Sequence, residues 1–140
     1  MDSVVLDTNV LLDFLMETRP GHTDTVLLFD QLGAGGVATY VVATSLKDLY
    51  YITGRLQGKE AAHRSVESLL ATMGILPVDE HCCRWAFACD EPDFEDGIIR
   101  AAAEIARVDY IISRDASAFV GSLVPRLSPA EALRELNLRP

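Results

Sequence analysis

Basic residues are scarce in this chain. Lys and Arg number 12 against 21 Asp and Glu, a formal net charge of −9 over 140 residues. A protein of that sign is no general binder of phosphate backbones, which call for a basic face. Contact with nucleic acid would need local cations, from side chains or bound ions. Cysteine is sparse too. Cys82, Cys83 and Cys89 are odd in number and two are adjacent, which argues against a disulfide framework and for a reducing cytosol. No apolar run nears the roughly 20 residues that span a bilayer, so no membrane partner is expected. Met1-Asp2-Ser3 places no basic stretch before an apolar one, so no secretory signal and a cytoplasmic location are expected. His22, His63 and His81 are scattered without zinc spacing. Joining His81-Cys82-Cys83 to Cys89 does no better, because adjacent side chains on a helix diverge. Gly33-Ala34-Gly35-Gly36 lacks the lysine and serine of a phosphate-binding loop and reads as a turn.

Apolar residues, by contrast, make up 49% of the sequence, ample for one packed core. A single domain over residues 1–140 is expected. Ser3–Leu6 reads as a buried strand and Thr8–Met16 as a helix, with a break at Arg19–His22. Thr23–Leu32 reads as a second helix and Val37–Tyr40 as a second strand. Thr44 or Ser45 is a candidate cap for a long helix to Leu56, ended by Gly58. A helix over Lys59–Met73, a strand over Ile75–Val78 with Pro77 marking an edge, and a helix over Glu80–Cys89 follow. After the loop Glu91–Asp93 come an alanine-rich helix, Phe94–Arg107, and a strand, Tyr110–Ser113. Leu123-Val124 suggests a last short strand. Ser128-Pro129-Ala130-Glu131 carries the signature of a capped helix running to about Leu136. Trp85 and Phe87 are expected in the core or an oligomer contact. Strands alternating with helices predict an α/β class: a three-layer α/β/α domain around a central parallel sheet.

The chemistry lies in the acids. Ligands of open α/β sheets sit beyond the carboxyl ends of the strands. Asp7 ends the first strand, and Asp115 follows the Tyr110–Ser113 strand. Asp93 is a natural cap for the alanine-rich helix. Asp96 falls on that helix's apolar stripe with Ile99 and Ala103, where a carboxylate is costly unless paired or metal-bound. Asp48 lies inside the long third helix, between Thr44 and Ile52, on a side that is not plainly solvated. Asp7, Asp48, Asp96 and Asp115 brought together would repel. Mg²⁺ or Mn²⁺, which prefer oxygen ligands, would relieve that repulsion and let an RNA phosphate approach. Such ions also suit phosphodiester hydrolysis. Arg19, Arg55, Lys59, Arg100 and Arg114 are candidate RNA contacts.

Four segments in order carry a resemblance. They are Val5-Leu6-Asp7-Thr8-Asn9-Val10-Leu11-Leu12-Asp13, Ser45-Leu46-Lys47-Asp48-Leu49-Tyr50-Tyr51, Asp93-Phe94-Glu95-Asp96-Gly97-Ile98-Ile99, and Tyr110-Ile111-Ile112-Ser113-Arg114-Asp115 with Phe119. Together they resemble the PIN domain, in particular the VapC-type toxin ribonucleases. The resemblance implies metal-dependent endonucleolytic cleavage of RNA, an antitoxin protein as partner and a homodimer. It implies Asp7 and Asp96 as direct metal ligands, and Asp115 as a ligand directly or through water. Asp48 stands where the family usually has Glu; one methylene shorter, it is expected to act through water. Asn9 would organise the site, Asp93 would add an outer acid, and Ser113 would hold a water or a phosphate. Among the basic candidates, Arg114, next to Asp115 in sequence, is the one expected to meet substrate.

Two other functions fit parts of the pattern. A domain forming a covalent aspartyl-phosphate would use Asp7, but Asn9 stands where a phosphatase would carry a second acid. A catalytically weak binding module would keep the fold and lose the chemistry.

Overall fold

The computed structural model describes residues 2–136. The elements run β1 (Ser3–Leu6), α1 (Thr8–Leu15), α2 (His22–Ala34), β2 (Ala38–Val42), α3 (Ala43–Gln57), α4 (Lys59–Thr72), β3 (Gly74–Leu76), α5 (Glu80–Ala88), α6 (Phe94–Ala106), β4 (Tyr110–Ile112), β5 (Arg126–Leu127) and α7 (Pro129–Glu135). The strands form one sheet in the order β3-β2-β1-β4-β5, with every neighbouring pair parallel. The α/β class with a central parallel sheet is therefore observed.

The short apolar runs explain the layers. A parallel strand buried on both faces is apolar at successive positions. Val4 and Leu6 of β1 join one apolar cluster and Val5 joins another. Ile112 and Ile111 of β4, and Val41 and Val42 of β2, divide in the same way. The first cluster lies under α1, α2 and α7, with Leu49 of α3 and Leu69 of α4; the second lies under α5 and α6. Helices thus cover both faces.

Chain direction sets the site. From β1 the sheet grows one way through β2 and β3 and the other way through β4 and β5. The order reverses between β1 and β4, where open sheets part to admit ligands. Leu6 pairs with Ile112, and the Asp7 amide donates to the Ile112 carbonyl at 2.9 Å. The residues after these two strands are therefore neighbours.

Several local readings need correction. The last strand is Arg126–Leu127, not Leu123-Val124. Leu123 is 83% exposed, whereas Val124 points into the core. The two-residue strand is held by Ile111 N–H on the Pro125 carbonyl and Ser113 N–H on the Leu127 carbonyl. The long helix begins at Ala43 with Val42 at its N-cap position and no side-chain cap. Ser45 is buried in its first turn and meets the Thr8 hydroxyl at 3.0 Å, tying α3 to α1. Gly33 lies inside α2, which runs to Ala34 with Gly35 as its C-cap. Phe87 is 84% exposed and Trp85 is exposed as well, so neither fills the core. Other punctuation is as read. Gly58, at φ +96°, turns the chain from α3 into α4 in a region that favours glycine. Ser128 and Glu131 form a reciprocal capping box on α7.

Candidate active site at the carboxyl edge of the sheet

Asp7 is the inner residue of the site. It caps α1, accepting the Thr8 amide at 2.7 Å, and is only 5% exposed. Its other oxygen accepts the fully buried Ser113 hydroxyl at 2.7 Å and the Asn9 amide at 3.3 Å. Burial pushes its pKa up, the hydrogen bonds from Ser113 and Thr8 pull back, and Asp115 pushes again; the net shift is upward. The Oδ1 of Asn9 is buried without a partner.

Ser113 passes the arrangement to the loop after β4. Its Oγ accepts the Asp115 amide at 3.1 Å. Asp115 is exposed, and its carboxylate accepts both the Ser117 hydroxyl, at 2.7 Å, and the Ser117 amide, at 3.0 Å. Those bonds hold its pKa below the ordinary aspartate value.

The third wall is the start of α6. Asp93 caps it, accepting the amides of Glu95 and Asp96. Asp96, in the first turn, is half-buried. Burial, and then the charges of Asp7, Asp93, Asp115 and Glu91, push its pKa up to about 6. The charge of Asp115 thus reaches both Asp7 and Asp96, and that of Asp7 reaches Asp96.

Asp48 is half-buried on α3. It pairs with Lys47 at 3.1 Å and meets Glu95, an acid in the first turn of α6. Glu95 in its protonated form donates to Asp48. That bond, burial, and the charges of Asp48, Asp93 and Asp96 push Glu95 up to about 7. Asp48 thus joins the acids through Glu95, and the constellation has a fifth neighbour. The run Asp93–Asp96 offered no signal for it, because the contact needs α3 and α6 in place.

Arginines expected on RNA are largely spoken for. Arg114 pairs with fully buried Asp13 of α1, and Arg19 pairs with the same carboxylate at 2.8 Å. Arg100 is buried in ion pairs with Asp90, Glu91 and Glu104. Arg55 lies 5.7 Å from the centre of the Tyr51 ring, and Lys59 is exposed at the start of α4. Arg114 and Arg19 serve first to neutralise Asp13, and Arg100 faces inward.

The donor set fits a hard divalent cation in chemical terms. It is all oxygen, its carboxylates repel, and a buried amide oxygen beside Asp7 lacks a partner. Among the described residues, no three His, Cys, Asp or Glu side chains already stand as a metal cage. Charge and donor chemistry, not a preformed cage, are what favour a cation. Among the described residues no helix is long and apolar enough to cross a membrane.

Comparison with known proteins bears on the fold and the family. No curated protein matches the chain in sequence. Solved structures match the fold at low identity. VapBC2 from Rickettsia felis bound to a promoter DNA fragment gives a TM-score of 0.70 at 12% identity, covering 90% of this chain and 98% of that one. The Sarcin-Ricin loop cleaving toxin VapC20 of Mycobacterium tuberculosis gives 0.69 at 13%, covering 81% and 91%. A toxin-antitoxin complex from Klebsiella pneumoniae gives 0.66 at 17%, covering 90% and 97%. In sequence, residues 3–117 match the PIN domain. That match spans most of the chain, and the chain belongs to the PIN-domain family.

Proposed function

We propose that this protein is a divalent-cation-dependent endoribonuclease acting as the toxin of a toxin-antitoxin pair. The observation that carries the reading is the placement of Asp7 and Asp115 after the neighbouring strands β1 and β4, with the charges of both reaching Asp96. Membership in the PIN-domain family supports the nuclease class, and the toxin-antitoxin assemblies of similar fold support an antitoxin as partner. A second copy of the chain belongs to the same reading.

Asp7, Asp96 and Asp115 would hold Mg²⁺ or Mn²⁺, with Asn9 Oδ1 and Asp48 contributing through Glu95 or water. The ion, when bound, supplies charge neutralisation at the phosphate and an activated water. The protein's own residues do the rest. Ser113 fixes one oxygen of Asp7, leaving its orientation determined before substrate arrives. The Asp93 cap holds the first turn of α6, and with it Asp96. Arg114, held by Asp13 beside Asp115, adds positive potential near an otherwise acidic rim.

The aspartyl-phosphate alternative has less support. Both oxygens of Asp7 are engaged and the residue is almost closed to solvent, which is unfavourable for nucleophilic attack on a phosphodonor.

A circular, unpaired RNA tests the proposal. With Mn²⁺ the protein should linearise and then fragment the circle, and a chelator should stop it. Intact circles under both conditions, or equal cleavage with the chelator, would contradict it.

A further inference from the structure

The loop that carries Asp115 is held from behind by a buried charge cluster with no part in the chemistry so far described. Phe119, four residues after Asp115, has φ +64°, a left-handed conformation costly for a bulky residue. Its ring is buried, and its amide donates to Glu91 Oε2 at 3.2 Å. The other oxygen of Glu91 accepts from Arg100 Nη1 at 3.3 Å. Arg100 Nη2 in turn donates to the Gly121 carbonyl at 2.7 Å, returning to the same loop. Glu104, one turn beyond Arg100 on α6, pairs with the guanidinium at 3.4 Å and accepts the Leu123 amide at 2.8 Å. The side chains of Glu91 and Glu104 are each 4% exposed.

This cluster joins the segments that bear two of the acids. Glu91 lies five residues before Asp96, and Arg100 lies one helical turn after it. Phe119 closes the turn Asp115–Ala118, in which the Ala118 amide donates to the Asp115 carbonyl at 3.2 Å. A residue held at positive φ by a buried carboxylate is a local cost that persists because its surroundings dictate it.

We propose that Glu91, supported by Arg100, is a positioning residue that sets the Asp115 turn against the first turn of α6. The assignment rests on the ribonuclease reading, since it concerns where Asp115 stands relative to Asp96. Charge alone is not the device. The carboxylate must reach both Arg100 and the Phe119 amide, so length matters as much as sign.

Glu91→Gln and Glu91→Asp separate these requirements. Glu91→Gln keeps the length and loses the charge. Glu91→Asp keeps the charge for Arg100 and falls one methylene short of bridging. Each is compared with wild type in three measurements: RNA cleavage rate, the Mn²⁺ concentration for the half-maximal thermal shift, and hydrogen exchange at residues 115–119. Both variants should cleave about 10- to 100-fold more slowly or require correspondingly more Mn²⁺, the range seen when groups that orient metal ligands are lost. Added Mn²⁺ should recover part of the rate, and exchange at the Asp115 turn should rise. If both retain wild-type rate and Mn²⁺ midpoint within twofold while their melting temperatures fall, the cluster is a stability element only and the proposal is wrong. If Glu91→Gln does not fold, Glu91→Asp alone decides between these outcomes. A wild-type protein that neither cleaves RNA nor responds to Mn²⁺ overturns the ribonuclease reading itself, and the assignment with it. That failure is told apart because it is seen without any substitution.

Discussion

Asp7→Asn should reduce RNA cleavage by at least about a hundredfold while leaving the fold as stable as before, or more so. The two effects separate because Asp7 has two roles that asparagine fills unequally. As the cap of α1 it accepts the Thr8 amide, and asparagine caps a helix about as well as aspartate. The Ser113 hydroxyl can rotate to accept from the new amide. The buried charge is different. Asp7 is nearly closed to solvent, and burial together with Asp115 disfavours its ionised form. Neutralising it relieves repulsion in the metal-free protein and should cost no stability. Catalysis, however, needs the negative ligand to hold the cation, and losing several kcal/mol of charge stabilisation corresponds to a rate loss of two or more powers of ten. Initial rates on an unpaired RNA and a thermal melt without metal check both halves. An active variant, or one destabilised by more than about 2 kcal/mol, is the contrary result.

Arg100→Ala should destabilise the fold by about 3 kcal/mol and up to about 5. Arg100 is the shared cation of Asp90, Glu91 and Glu104, and the last two are almost wholly buried. Truncation leaves two buried carboxylates without a counter-charge. The lower end of the range is favoured because Glu104 keeps the Leu123 amide and the Trp85 indole, and Glu91 keeps the Phe119 amide. Against the roughly 5–15 kcal/mol that holds a small domain together, that is a large fraction. The deficit should depend on pH. Burial pushes Glu104 up, but hydrogen bonds from Leu123 and Trp85 and the charge of Arg100 outweigh it and lower its pKa below the ordinary 4.5. A lowered carboxylate stabilises the fold fully above 4.5 and loses that contribution as pH falls through its folded value. The gap between wild type and Arg100→Ala should therefore be widest near neutrality and narrow toward pH 4. Urea titrations at both pH values measure it; a gap under about 1 kcal/mol at neutral pH would contradict the account.

The fold was legible wherever a buried strand left an apolar run. Ser3–Leu6 needed only its four residues, and Ser128–Glu131 announced its helix through reciprocal capping. β5 was not legible, because two residues have no period and its pairing depends on the Pro125 carbonyl and on Ser113, more than ten residues away. Leu123 misled as an apolar residue that the structure leaves in solvent.

At the site, placing Asp7 and Asp115 required only strand ends and the rule that parallel sheets present ligands there. What sequence could not give was partnership. Asp13 and Arg114 lie 101 residues apart and meet only after β4 is laid beside β1. Arg100 looks like a surface cation on an alanine-rich helix until Glu91, Glu104 and the Gly121 carbonyl surround it. Glu95 reads as an acid suited to a helix start, and only the approach of α3 turns it toward Asp48.

The claim that the acids form a cation site is tested most directly by thermal unfolding with and without Mn²⁺, on wild type and Asp96→Asn. No substrate is needed. A ligand bound only by the folded state adds about 2.7 kcal/mol at a hundredfold excess over its dissociation constant. Wild type should melt higher with Mn²⁺, and Asp96→Asn should show little or no such shift. Equal melting of wild type with and without Mn²⁺ would mean that Asp7, Asp96 and Asp115 are caps and uncompensated charges, and a binding module without chemistry would then be the better account.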